Sequence, residues 1–219
     1  LEALSRLRHP GLGYISPDIF VRIAERNGKI TKLGYLQLQR ICRFLQCHRD
    51  LMDDLKNIKI NLSPLELLEP DYCSALIKTI EMHDLPFTWF QFEITETVAT
   101  EYTKNVLQAI ETFSAVGIHL SLDDFGSGYA NLNTILKLPF SIIKLDRSLL
   151  QDICKNEKVS SFYQNLTFVL QNMGYQVIAE GVEHEEEIIR LRKWKVNMVQ
   201  GYYFAPPAPP DEVSALLQK

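Results

Sequence analysis

The chain lacks the marks of several common functions. Its five histidines, His9, His48, His83, His119 and His184, form no HxxxH or HxH pair, so none is assigned to a metal. Cys42, Cys47, Cys73 and Cys154 are isolated, without the paired spacing of a zinc site or the density of a small secreted scaffold. They are expected to be reduced, buried thiols in a cytoplasmic protein. No block of Lys and Arg interrupts a formal net charge of −4, which argues against duplex nucleic acid, whose phosphates need a positive footprint. There is no signal-peptide pattern and no apolar run long enough to span a bilayer, so no membrane contact is expected from this segment. No G-x-G-x-x-G marks a dinucleotide-binding turn.

What is present is a globular composition, 46% apolar over 219 residues, enough for one domain with a sizeable core. Strand-like runs at 3–7, 58–62, 90–94, 118–122, 142–145, 176–179 and 198–204 alternate with helical patterns at 17–27, 36–47, 71–83, 101–116, 132–137, 159–173, 185–194 and 211–218. That alternation predicts an α/β fold with a parallel sheet. Leu36, Leu38 and Leu45 read as core, as does His119, and the aromatics Tyr202, Tyr203 and Phe204 of the last strand read as core in preference to a base-stacking platform.

Nearly every strand carries a polar residue at or near its C-terminal end: Asn61, Glu93, Asp123 with Asp124, Lys144, Glu180 and Gln200. In a (β/α)₈ barrel such ends converge on the face that carries the active site. An open doubly wound sheet is the competing architecture, and it lacks its Gly-rich phosphate turn here. Carboxylates and carboxamides in this number suit hard divalent cations such as Mg²⁺. Two such ions about 3.5–4 Å apart are a standard device for phosphodiester hydrolysis.

The stretch "HLSLDDFGSGYANL" is the sharpest signal, because two adjacent carboxylates repel each other unless a cation lies before them. Neighbouring strand residues face opposite ways, so both aspartates reach one site only if the strand ends there. The plainer reading is that one Asp caps the next helix and the other is solvated. Lys144 stands inside an apolar strand, either to orient a nucleophile and steady phosphate charge or as a snorkelling surface lysine. Of Glu180 and Glu183 in "AEGVE", one suits a ligand or general base and the other a substrate contact.

Together these pieces resemble the EAL domain, the phosphodiesterase domain of bacterial cyclic di-GMP signalling. The name motif stands at Glu2-Ala3-Leu4, with Arg6 beyond it; "RHPGLGYISPDIFVRIAE", "NLS", "EITET", "DDFGSG", "KLD", "AEGVE" and "QGYYF" follow in the family's order. The resemblance implies a modified TIM (β/α)₈ barrel whose first strand is antiparallel, spanning 1–219 as one EAL domain. Only seven strands are legible, so the family's first strand is expected to lie upstream in the natural protein. The implied reaction is hydrolysis of cyclic di-GMP to linear pGpG with two Mg²⁺ or Mn²⁺ ions, Ca²⁺ being inhibitory through its longer, looser coordination.

The implied metal ligands are Glu2, Asn61, Glu93, Asp123, Asp124 and Glu180, with Lys144 positioning the attacking water and Glu180 also cast as general base. Glu96 would anchor the loop after Asp124, and Arg6, Glu183 and Gln200 would line the dinucleotide pocket. Leu7 stands where the family often has Trp, a packing change. A homodimer and flanking sensor or GGDEF domains are the partners the family implies. The alternative is a receptor that holds cyclic di-GMP without cutting it, or a regulatory dimerisation module.

Overall fold

A computed structural model describes residues 1–53, 55–95, 104–128, 135–136, 138 and 140–217. The elements are β1 (Glu2–Ala3), β2 (Leu7–His9), β3 (Gly13–Ile15), α1 (Pro17–Arg26), α2 (Ile30–Cys47), β4 (Ile58–Leu62), α3 (Pro64–Leu67), α4 (Tyr72–Met82), β5 (Phe90–Thr95), α5 (Lys104–Ala115), β6 (His119–Phe125), β7 (Ile142–Leu145), α6 (Arg147–Leu150), α7 (Glu157–Asn172), β8 (Gln176–Ala179), α8 (Glu185–Lys193), β9 (Met198–Val199) and α9 (Pro210–Leu217). Among the described residues, one sheet runs β1-β4-β5-β6-β7-β8-β9. Its order follows the chain without reversal, and the pairs β1–β4, β6–β7, β7–β8 and β8–β9 are parallel. A doubly wound sheet would reverse its strand order at a switch point. The unreversed order is that of a (β/α)₈ barrel.

Contacts divide the chain into two compact units. The first comprises 1–93, 103–119 and 208–219. Its core sets Ile58, Ile60, Phe90 and Phe92 of the strands against Leu38, Cys42 and Leu45 of α2, Leu76 and Ile80 of α4, and Ile110 and Phe113 of α5. The Phe92 and Phe113 rings meet at 4.8 Å. Directly after β4, Ser63 caps α3: its Oγ accepts from Leu65 N, Glu66 returns a carboxylate to Ser63 N, and Pro64 sits at the first turn.

That capping carboxylate is itself buried. Tyr72 Oη donates to Glu66 Oε1 at 2.5 Å. Burial pushes the Glu66 carboxyl up to about 7, against the hydrogen bonds from Tyr72 and Ser63 and with added repulsion from Glu25. An acid raised from its ordinary 4.5 holds its proton more tightly folded than unfolded. Its stabilisation is therefore complete below the ordinary value and is lost as pH rises through about 7. Glu66→Gln is expected to remove about 3 kcal/mol of pH dependence between about pH 5 and 8. Urea unfolding across that range checks this, and an unchanged slope would place the titrating group elsewhere.

The second unit comprises 94–102 and 120–207. All of β7 is buried, as are Val177, Ile178 and Ala179 of β8, the near-continuous apolar runs of parallel strands covered on both faces. Helix α7 covers them with Tyr163 and Leu170, and Tyr163 stacks on Trp194 at 5.8 Å. Asn156 caps α7 by accepting from Lys158 N at 2.9 Å.

Several expectations are corrected. The run expected at 3–7 is instead two strands, Glu2–Ala3 and Leu7–His9, and the second pairs with Gly13–Ile15 in a hairpin that the sequence pattern did not give. The helix expected to begin at 36 begins at Ile30. The last strand is only Met198–Val199. A Cβ on Gly201 would sit 2.1 Å from Val182 O, so the chain turns here against backbone and only glycine fits. Tyr202, Tyr203 and Phe204 are consequently exposed instead of core. His119, at the outer start of β6, is exposed, as is Leu36, on the outer side of α2. All four cysteines are free, yet only Cys42 is buried. The helical pattern at 132–137 lies largely outside the described residues.

Candidate active site

In the second unit the question raised by the paired aspartates has a geometric answer. Strand β6 does not end before them. Ser121 and Leu122 pair with Ile142 and Ile143, and then Phe125 pairs with Leu145, so Asp123 and Asp124 together stand opposite the single residue Lys144. This is a β-bulge, one extra residue that bends the strand and re-aims a side chain. Asp124 takes the left-handed conformation at φ 55°, which Asp tolerates better than most residues with a Cβ. Its N–H donates to Asp123 Oδ1 at 3.0 Å. The bulge, not a strand end, turns both carboxylates toward one place.

Beyond it, Gly126 has φ 95°, and a Cβ there would lie 2.4 Å from Leu149 Cδ1 of α6. Glycine thus lets the chain leave the strand tightly against that helix. Glu180 follows β8, its N–H held by Leu145 O at 3.2 Å. Gln200 N donates to Ala179 O and Gln200 O accepts from Val182 N, bracketing the turn that carries Glu180.

Oxygens of Asp123, Asp124 and Glu180 come within 4.8 Å of one another, a group able to hold a cation. Lys144 Nζ lies 2.8 Å from Asp123 Oδ1 and 2.8 Å from Glu180 Oε1. Lys144 is only 1% exposed, which settles the snorkelling alternative. A lysine sealed from water is tolerable only with paired charge, and two carboxylates supply it. Burial, and then the charge of Glu180, push the Tyr163 hydroxyl upward.

In the first unit, Asn61 Nδ2 donates to Glu2 Oε1 at 2.9 Å. Glu93 is fully buried, with Gln91 Nε2 3.4 Å from its Oε1. Arg6 is exposed and donates to Ser5 O, and Glu183 is exposed before α8, its N–H held by Glu187. Glu96 lies outside the described residues. The sequence reading passed over Lys59, although it stands in an apolar strand two residues from Asn61, the same kind of signal that singled out Lys144.

The family model of the EAL domain matches residues 1–207. The chain belongs to the EAL domain family. It is 34% identical over 209 residues to the cyclic di-GMP phosphodiesterase PdeR of Escherichia coli (strain K12), covering 95% of this chain and 32% of that protein. It is 32% identical over 209 residues to the cyclic di-GMP phosphodiesterase NbdA of Pseudomonas aeruginosa, covering 95% of this chain and 27% of that one. The structure of the PaMucR phosphodiesterase in complex with c-di-GMP superposes with a TM-score of 0.87 at 29% identity, covering 97% of this chain and 86% of that one. This EAL domain therefore spans less than a third of the two curated relatives.

Proposed function

We propose that this EAL domain hydrolyses cyclic di-GMP to linear pGpG with two divalent ions, Mg²⁺ or Mn²⁺. The observation that carries the reading is the bulge that gathers Asp123 and Asp124 with Glu180 around a buried lysine. The residues fit such ions: their donors are oxygens, and a cation, the Lys144 ammonium, already lies between two of them. When bound, ions of this kind acidify water and neutralise charge on the reacting phosphate.

In this reading Glu2, Asn61, Glu93, Asp123, Asp124 and Glu180 are the metal ligands. Lys144 holds the attacking water in line with the phosphorus and steadies negative charge as it develops. Glu180 accepts the proton of that water. Arg6, Glu183 and Gln200 contact the dinucleotide, and Glu96 anchors the segment after Asp124. Activity in the cytoplasm, a homodimer and flanking sensor or GGDEF domains belong to the same proposal. Among the described residues no helix is long and apolar enough to cross a membrane.

Incubating the purified domain with cyclic di-GMP and Mn²⁺, then separating the products by chromatography, tests the reading. Conversion to pGpG that stops on chelation is the expected result. Tight nucleotide binding without turnover in either metal would make the domain a receptor instead.

A further inference from the structure

The first unit contains a second interior lysine with no role in the reading above. Lys59 is 7% exposed on β4, in a class of side chain that is almost never buried without a compensating charge. Glu2 is its direct partner in the β1–β4 register. On the other side of β4, Asn57 Nδ2 donates to Gln91 Oε1 at 3.0 Å. Lys59 and Glu93 stand two residues further along, on the neighbouring strands β4 and β5, and the two-residue repeat puts both on the side where Asn57 and Gln91 meet.

We propose that Lys59 is a positioning residue whose ammonium is the internal counter-charge of Glu2 and Glu93, holding them as a ligand pair and moderating their hold on a divalent ion. The inference rests on the reading of Glu2 and Glu93 as metal ligands. Lys144 stands in the same relation to Asp123 and Glu180, where the distances are explicit. A lysine fixed this way has two opposed effects. It relieves the repulsion of buried carboxylates when no metal is bound, and it repels a divalent cation that approaches them. Metal binding is then weaker than the carboxylates alone would give.

Lys59→Met keeps most of the length of the side chain and removes the charge. Its melting temperature without metal should fall, while its Mn²⁺ affinity, read by calorimetry without nucleotide, should tighten roughly tenfold. Lys59→Arg, which keeps the charge, should hold the wild-type metal affinity. Unchanged or weaker Mn²⁺ binding in Lys59→Met would overturn the proposal. Should Lys59→Met not fold, the double variant Lys59→Met/Glu93→Gln decides: recovered metal-free stability supports the pairing, and a double variant as unstable as Lys59→Met overturns it. A wild-type protein that binds no Mn²⁺ at all would instead overturn the ligand reading, and the double variant would still read the coupling between Lys59 and Glu93.

Discussion

Lys144→Ala is expected to lower turnover of cyclic di-GMP by roughly 10²-fold or more while leaving nucleotide affinity close to wild type, the scale of losing a positioned charge-stabilising group. The Lys144 ammonium sits between Asp123 and Glu180, 2.8 Å from each, and is almost wholly sealed from water. A group so placed cannot make a long-range contact with substrate, so its effect belongs to the reacting centre. Removing it also leaves two carboxylates without their shared cation. The metal-free variant should therefore melt at a lower temperature and recover most of the loss on adding Mn²⁺. Single-turnover and steady-state kinetics with thermal melts check both statements. A variant with near-normal kcat and a raised KM would make Lys144 a ground-state phosphate contact.

The legible and illegible parts of this chain differ for physical reasons. Strands β4, β7 and β8 fall where the sequence pattern puts them: β7 and β8 because a parallel strand buried on both faces reads as a mostly apolar run, and β4, Ile-Lys-Ile-Asn-Leu, because it alternates. The hairpin β2–β3 has short, largely exposed strands, so it carries no apolar alternation to read. The aromatics after Gly201 misled in the opposite sense. Their hydrophobicity suggested a strand, but the close approach of Gly201 to the Val182 backbone forces a turn, and a contact between distant segments leaves no local mark. Among the site residues, the types and order were readable; the means of assembly were not. Nothing in "LSLDDF" shows that the register slips by one residue, because alternation is interrupted equally by a strand end and by a bulge. Lys59 and Lys144 carried equal sequence signals, yet only the one at a strand end drew attention.

Deletion of Asp124 should keep the fold and abolish activity, a loss of roughly 10³-fold or more in turnover. In a regular parallel ladder a one-residue deletion flips every later side chain to the wrong face. At a bulge the reverse holds, because removing the extra residue brings the ladder back into register. With Asp124 gone, Leu122, Asp123 and Phe125 would lie opposite Ile143, Lys144 and Leu145 without a slip, and Phe125 would keep its buried place beside Leu145. The hydrogen bonds from Asp124 N to Asp123 Oδ1 and from Ser127 N to Asp124 O would be lost, at a combined cost of about 1–3 kcal/mol. Relief of the left-handed Asp124 backbone offsets part of that. Deleting Leu122 instead should unfold the second unit, since it shifts the buried run of β6 by one residue. Far-ultraviolet circular dichroism, thermal melting and Mn²⁺ titration on the two deletions separate the cases. A ΔAsp124 protein that melts like ΔLeu122 would mean that the bulge is required for folding, and one that retains turnover would remove Asp124 from the metal ligands.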